Sequence, residues 1–342
     1  MKTYTRNTLK YTMAGALILT SACSKIEFSP APGFATNTTA STETLPDGSV
    51  KDSFTFNQNG TKAKVDVLII DDNSSSMQNK QVRLGSALGS FITSLGSIDW
   101  QIGITTTDTS DDPVTGLKGS LLQLTGAATN ILTNAIPNYA TVFANTVHRS
   151  EIGSSDERPI RAMMHAFGKR NAENAGFFRP SADLAVVVMS DEDEASDGIG
   201  VASDPANVPN DAINAFSSAF GNSKTMVVYG IIIAPGNTSC YNSESVHGAS
   251  YGTQVNALVN QTGGVTGSIC DLDFGPSLAN IGDRVLSGVR TATLTQDPNV
   301  STVQLQIVPA DASLTWTITG RVISFNKPPV RGTTVQVVYH PK

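Results

Sequence analysis

The sequence predicts an α/β domain built on a doubly wound, mostly parallel sheet, followed by a small C-terminal antiparallel β module. Three observations predict it. Val65-Asp66-Val67-Leu68-Ile69-Ile70 is a nearly continuous apolar, β-branched run, as expected of a strand buried on both faces. Runs of this kind then alternate with stretches of helical period, which means strands joined by helices and therefore a parallel sheet. From about residue 291 the helical period stops, while Gly, Pro and β-branched residues continue.

The elements follow in order. Ser53-Phe54-Thr55-Phe56 alternates polar and apolar residues and reads as a short strand, closed by an Asn59-Gly60 turn. After the 65–70 strand, residues 79–95 place Val82, Leu84, Leu88, Phe91, Ile92 and Leu95 mostly at helical spacing. Strands are expected at Trp100 to Thr106, Leu184 to Met189, Met226 to Ile233 and near 265–270, with helices over 157–168, 208–220, 251–261 and 277–290. In the module, strands are expected at Thr302 to Ile307, Thr315 to Ile318, Val322 to Phe325 and Thr334 to Tyr339, separated by turns at Gly320-Arg321, Pro328-Pro329 and Gly332. The predicted organisation is a leader over 1–22, a tether over 23–50, a strand-bearing stretch over 51–63 that joins the β module, the α/β domain over 64–290 and a small β-sandwich-like module over 291–342.

The composition fits this layout. In 342 residues, 39% are hydrophobic and 15% charged, enough apolar material for a sizeable core. The net charge is −6 with no Lys/Arg cluster, which argues against nucleic acid as a partner. Lys2, Arg6 and Lys10 precede an apolar run from Met13 to Leu19, then small residues Thr20-Ser21-Ala22 and Cys23. That is the layout of a secretory signal, too short to span a bilayer as a stable helix. Residues 24 to about 50 are rich in Ser, Thr, Pro, Asn and Ala and read as a flexible tether.

The leader resembles a bacterial lipobox, in which the cysteine is diacylated and becomes the mature N-terminus. Thr20 stands where the usual Leu would be, three residues before Cys23. The resemblance implies an outer-membrane lipoprotein, on the periplasmic face or the cell surface, held to the membrane by its lipid anchor; plain cleavage and secretion is the alternative. The chain has three cysteines. With Cys23 lipidated, Cys240 and Cys270 remain to pair in an oxidising compartment; two free buried thiols are the other possibility.

The chemistry concentrates at Asp72-Asn73-Ser74-Ser75-Ser76, just past the first buried strand and just before a helix. Ligands of open parallel sheets bind at the carboxyl ends of strands. One carboxylate and two hydroxyls on a tight turn are oxygen donors suited to a hard cation, Mg²⁺ or alternatively Ca²⁺ or Mn²⁺, and not to zinc. The alternative is an Asx/Ser-type turn that merely caps the helix.

Asp-x-Ser-x-Ser followed by Met77, at the end of the Val65 to Ile70 strand, resembles the metal-ion-dependent adhesion site of von Willebrand factor A-type (VWA) domains. The resemblance covers about residues 64–290 and implies the Rossmann-like arrangement of that family. It implies that Ser74 and Ser76 contact the metal directly, and that Asp72 acts mostly through water or hydrogen bonds. Asp191, in Ser190-Asp191 after the third buried strand, is implied to act in the same indirect way. It further implies that a carboxylate of a protein or glycan ligand fills the open position. The family's Thr, expected before the 157–168 helix, has no plain counterpart. Gly153-Ser154-Ser155-Asp156 stands there, so Ser154 or Ser155 is expected to supply the hydroxyl, or Asp156 or Glu157 a carboxylate that would make the site less dependent on a partner's acid. An A-type domain with a degenerate, metal-free site is the alternative.

Other features point elsewhere less strongly. Asp191-Glu192-Asp193-Glu194-Ala195-Ser196-Asp197-Gly198 spaces acids somewhat like a calcium loop, but its Gly is late and the closing Glu is missing. It reads as the metal loop running into an acidic turn, with an independent calcium site as the alternative. Asp271 and Asp273 read as caps of the last helix, with Phe274 in the core. His148, His165, His247 and His340 are scattered and no hydrolase or P-loop motif occurs, so the chain is expected not to be an enzyme. The expected function is adhesion or envelope/fibre assembly through a divalent-metal site. The alternatives are a structural assembly protein with a non-adhesive or empty site and, behind that, an unrecognised hydrolase.

Overall fold

The computed structural model describes residues 38–56, 64–96, 98–150, 152–180, 182–195, 207–221, 224–288, 291–326, 329 and 332–342. The expected leader, Cys23, the Asn59-Gly60 turn, Pro328 and the Ser196 to Gly198 end of the acidic stretch lie outside these residues.

In chain order, β1 (Thr38–Thr44) and β2 (Val50–Phe56) form a hairpin. β3 (Lys64–Asp71) leads into α1 (Gln78–Leu95) and β4 (Asp99–Thr106). Then come α2 (Tyr139–Val147), α3 (Pro159–Gly168), β5 (Asp183–Met189), α4 (Pro209–Phe220) and β6 (Met226–Ile232). α5 (Thr238–Glu244), α6 (Thr253–Thr262), β7 (Thr266–Ser268) and α7 (Gly275–Gly288) complete the α/β part. β8 (Thr291–Thr293), β9 (Gln304–Val308), β10 (Trp316–Thr319), β11 (Val322–Phe325) and β12 (Thr334–Tyr339) follow.

The central sheet has the order β4-β3-β5-β6-β7, and all its pairings are parallel. Successive residues of β3 serve opposite layers, as a two-unit side-chain period requires. Val65, Val67 and Ile69 pack in a core with Leu84, Leu88 and Phe91 of α1, Phe143 of α2 and Ile281 of α7. Leu68 and Ile70 pack in a second core with Met163 and Phe167 of α3, Phe216 of α4 and Leu258 of α6. The fold class is therefore the predicted one, three layers with helices on both faces of the sheet. β4 is an edge strand, and the 107–138 loop folds back over it. Ile102 exchanges backbone hydrogen bonds with Leu132, and Leu122 N donates to Ile104 O. Covering an edge in this way blocks strand addition by another chain.

The amino end of the sheet is closed by an ion cluster. Asp66, fully buried in β3, takes Arg179 Nε at 2.8 Å and Lys224 Nζ at 3.1 Å. Burial pushes its carboxyl up, and the two cations oppose that. Arg179 also donates to the Val65 and Asp99 carbonyls, both at 2.9 Å. Arg179→Met leaves these groups short of donors, and removing one partner of a buried ion cluster typically costs about 3 kcal/mol or more. Urea unfolding of the variant is expected to show that loss; an unchanged midpoint would contradict it.

The β module draws strands from both sides of the α/β domain. One sheet runs β1-β2-β12-β9 and the other β10-β11-β8. Phe54 and Phe56 of β2 share a core with Ile323, Phe325, Val335 and Tyr339. The Phe56 and Phe325 rings meet edge to face at 5.7 Å. Buried Asp52 accepts from Thr42 Oγ1 at 2.8 Å, Thr295 N at 2.9 Å and Tyr339 Oη at 2.9 Å, joining β1, β2, β12 and the segment after β8. The 53–56 stretch lies in β2, which pairs with β12. One expectation is corrected: β1 lies inside the stretch 23–50 read as a tether. Its Thr-rich sequence suits an edge strand, where β-branched residues pair without needing burial on both faces.

Candidate metal centre

The site lies at the carboxyl ends of β3 and β5. Here the chain leaves β3 for β4 on one side and returns to β5 on the other, which opens a crevice. Asp72 is fully buried and holds the loop in shape. Its Oδ1 accepts from Ser74 N at 2.8 Å, an Asx turn, and its Oδ2 accepts from Ser190 Oγ at 2.6 Å. That turn brings Ser74 Oγ and Ser76 Oγ to 3.0 Å from each other. Ser76 Oγ donates to Asp191 Oδ1 at 3.0 Å. The structure therefore assembles Asp72, Ser74, Ser76 and Asp191 in one place, although more than a hundred residues separate the two loops.

The third corner differs from the expectation. Ser155 is exposed, and Ser154 Oγ accepts from Asp156 N at 2.9 Å. The Ser154 hydroxyl stabilises its own turn, and the Ser154 backbone N–H donates to Asp108 at 3.0 Å. Asp156 pairs with Arg158. Glu157 is the residue that turns inward and is fully buried. Its Oε2 accepts from Thr107 Oγ1, itself fully buried at the end of β4. Its Oε1 is buried with no hydrogen-bond partner. Gly153 permits this loop to close: its N–H donates to Asn73 O at 2.8 Å, and a Cβ there would stand 2.2 Å from Asn73 Nδ2.

Lys80, in the first turn of α1, reaches back over the site. Its Nζ lies 2.7 Å from Asp191 Oδ2 and 2.8 Å from Glu244 Oε2, with the side chain 6% exposed. Burial lowers its pKa, but the hydrogen bonds and charges of Asp191 and Glu244 outweigh this and raise it.

The carboxylates are nonetheless under-neutralised. Burial and then the Asp191 charge push Asp72 up to about 6. Burial and then the Asp72 charge hold Glu157 well above the usual carboxylate range, against the Thr107 hydrogen bond. Burial, followed by Asp72 and Asp191, pushes half-buried Glu192 up to about 7. Like charges gathered in a poorly hydrated crevice favour either protons or a bound cation. Among the described residues no three His, Cys, Asp or Glu side chains form a metal cage by themselves. The paired Ser74 and Ser76 hydroxyls and the unpartnered Glu157 Oε1 are all oxygen donors, the type that a hard cation takes.

In the acidic stretch after Asp191, Asp193 and Glu194 are engaged with backbone N–H groups of other elements. Asp193 caps α6, accepting from Gln254 N at 2.9 Å. Glu194 accepts from Ile160 N at 2.5 Å near the start of α3. Asp273 accepts from Gly275 N at 2.8 Å and caps α7 as expected, with Phe274 fully buried. The Cys240–Cys270 disulfide is present, with Cα atoms 5.7 Å apart. It joins α5 to the segment after β7, and closing a loop of that length stabilises the fold by about 3 kcal/mol through the unfolded chain.

Sequence reasoning missed Thr107 and Lys80. Thr107 follows a strand without any motif, and Lys80 falls in a helical pattern where a lysine reads as solvated. The signal that was available for Glu157 is its place immediately before a helix start marked by Pro159.

No family profile matches the chain, and no curated protein matches it. Among solved structures it is similar to the pilus adhesin SpaC from Lactobacillus rhamnosus GG, open conformation, at 12% identity and a TM-score of 0.39, covering 88% of this chain and 42% of the adhesin. It is similar to proximal thread matrix protein 1 from the mussel byssus at 11% identity and a TM-score of 0.37, covering 70% of this chain and 51% of that one. It is also similar to the ArnB paralog VWA2 from Sulfolobus acidocaldarius at 12% identity and a TM-score of 0.35, covering 85% of this chain and 60% of that one. The chain spans less than two thirds of each of these proteins.

Proposed function

We propose that residues 64–290 form a von Willebrand factor A-type domain whose carboxyl-edge crevice binds a divalent cation and, through it, a protein or glycan ligand. The chain would serve adhesion or envelope/fibre assembly as an outer-membrane lipoprotein anchored through Cys23. Among the described residues no helix is long and apolar enough to cross a membrane. The observation that carries the proposal is the meeting of Ser74, Ser76 and Asp191 at the Asp72 loop, with the fully buried Glu157 in electrostatic contact with Asp72 and its Oε1 without a hydrogen-bond partner.

In this reading Ser74, Ser76 and Glu157 hold the cation directly. Asp72 and Asp191, already engaged by Ser190 and Lys80, orient the hydroxyls. Mg²⁺ is the proposed metal, with Ca²⁺ and Mn²⁺ as alternatives; when bound, it would offer an open position to a ligand oxygen such as a carboxylate. Ser74→Ala is expected to abolish Mg²⁺ binding in titration calorimetry while leaving the circular dichroism spectrum unchanged. Equal affinity in wild type and variant would overturn the proposal.

One observation favours a second reading. Glu157 adds a charge where the family resemblance implies a neutral hydroxyl, so the cation could be held without a partner's acid and serve to tie the loops together. Pull-down of envelope components in Mg²⁺ and in chelator separates the two. Loss of the partner on chelation supports ligand gripping, and retention supports the structural role.

A further inference from the structure

A cavity of about 420 Å³ opens along α3, lined by Arg161, Met164, His165, Gly168, Lys169 and Asn207. No carboxylate lines it, and none of the residues that assemble the cation crevice does. Arg161, His165 and Lys169 recur every four residues, so they stand in one row along α3 and its end. Like charges at that spacing weaken a helix rather than support it. Lys169 is also held in position. Its Nζ donates to Leu117 O at 3.2 Å and to Ser120 Oγ at 2.6 Å, both neutral acceptors. Among the described residues it pairs with no carboxylate; Glu173, the nearest in sequence, is exposed and makes no ion pair.

The charges around the row do not cancel. Asp156 pairs with Arg158, and Asp111 with Lys118. Buried Glu194 accepts from Asn207 Nδ2 at 3.2 Å and offsets the Arg161 charge. Lys169 is left unmatched. His165, one turn before it, is an imidazole on which no carboxylate acts: partial burial, then Lys169, Arg161 and Lys118, lower its pKa. One unmatched ammonium beside a neutral imidazole that can take a proton is a place prepared for negative charge. The volume sets the size of what brings it. A water molecule takes about 30 Å³ of liquid, so the cavity holds the equivalent of about fourteen, and a bare phosphate ion fills only a minor part. Met164 and Gly168 give the remainder an uncharged wall, and at Gly168 open space stands where a side chain would be.

We propose that the α3 cavity binds a phosphorylated molecule of sugar size, its phosphate held by Lys169, His165 and Arg161 and its uncharged body laid against Met164 and Gly168. A phosphomonoester carries about −1.5 to −2 charges near neutral pH, which the Lys169 ammonium and a protonated His165 match. Arg161 adds a planar fork of N–H donors suited to phosphate oxygens. A single carboxylate would leave one of those two charges unmatched. The proposal does not rest on the cation reading.

The test titrates the full chain, in chelator, with glucose 6-phosphate and mannose 6-phosphate, and with glucose and inorganic phosphate as controls, read by calorimetry. At least one sugar phosphate is expected to bind, with inorganic phosphate at least about fivefold weaker and glucose silent. Lys169→Gln, which keeps a donor for Leu117 and Ser120, and His165→Gln, at an exposed position, are each expected to weaken sugar-phosphate binding at least about fivefold with an unchanged circular dichroism spectrum. Lys51→Gln, in the β module, is expected to bind as wild type does. Failure of both sugar phosphates to bind, equal affinity in both cavity variants and wild type, or equal affinity for inorganic phosphate overturns the proposal. Vesicles of phosphatidylglycerol, whose phosphate is a singly charged diester, are the final arm. Vesicle binding that Lys169→Gln abolishes assigns the cavity to a membrane surface and equally overturns it. Because every arm is run in chelator, failure here is distinct from failure of the cation site.

Discussion

Glu157→Gln is expected to reduce divalent-cation affinity at least about tenfold, which corresponds to roughly 1.4 kcal/mol. The same change is expected to raise the melting midpoint of the cation-free protein by several degrees, since 1 kcal/mol moves a domain of this size by about 2–4 °C. Both effects follow from one charge. Without a cation, the Glu157 carboxylate faces the Asp72 charge inside a buried crevice and one of its oxygens has no partner. A neutral amide removes the repulsion but withdraws a carboxylate whose Oε1 is buried and without a hydrogen-bond partner.

The pH dependence has a definite sign. Asp72 and Glu192 have folded-state pKa values raised to about 6 and about 7, so between about pH 4 and 7 the folded state holds protons that the unfolded chain has lost. These groups therefore weaken the cation-free fold as pH rises through that window. A bound cation reverses the penalty, so the Mg²⁺-induced rise in melting midpoint should be largest near pH 8 and small near pH 5. Glu157→Gln should flatten that difference. Calorimetric scans with Mg²⁺ and with chelator check all of this. A Glu157→Gln protein that melts below wild type in chelator, or binds Mg²⁺ as wild type does, would show that the site is not strained by charge.

Lys80→Met is expected to produce the largest loss of stability. Lys80 pairs with Asp191, whose side chain is fully buried, and it simultaneously holds Glu244 of the disulfide-tied segment. Removing one member of a buried pair typically costs about 3–5 kcal/mol, because the remaining charge keeps its desolvation penalty. For this chain that means a fall of about 10 °C in cation-free buffer. Divalent cation should restore part of the loss, because it neutralises the same carboxylates that Lys80 did. Its affinity for the variant should rise by about tenfold, since a positive charge beside the site is gone. A variant that melts like wild type, or that Mg²⁺ fails to stabilise, would contradict the role given to Lys80.

The parts of this molecule that were legible in the sequence are those decided by local pattern. The β3, β5 and β6 strands are apolar runs too continuous for any other assignment, and the structure places them within a residue of expectation. The Asp72 to Ser76 loop was legible because its residue spacing is a motif, and Asp191 because it follows a strong strand. The corner opposite them was not. Ser154 and Ser155 looked like hydroxyl donors because serines are, but the backbone turn consumes one and exposes the other. Only three-dimensional packing turns Glu157 inward against Thr107, fifty positions away in the chain. α2 and α5 went unrecognised for a different reason. They are short, and their few apolar positions give too little period to separate them from the loops around them. Lys80 pairs with residues more than a hundred positions away, and helical periodicity carries no trace of such a partner.

The β module has a bearing on how the chain assembles. β2 pairs with β12, matching Val50 with Tyr339. The module is in effect a buckle, one half of which is made before the α/β domain and the other after it. Its nucleation must wait for contacts of very long sequence separation, which fold slowly. The parallel sheet, with its nearer partners, is then the early-folding part, and the buckle fastens on a domain already formed. Until it does, the Val50–Phe56 strand is an unpaired apolar edge of the kind that invites association between chains. Loss of β12 would therefore show itself first as aggregation of newly made protein, before any change in the cation site.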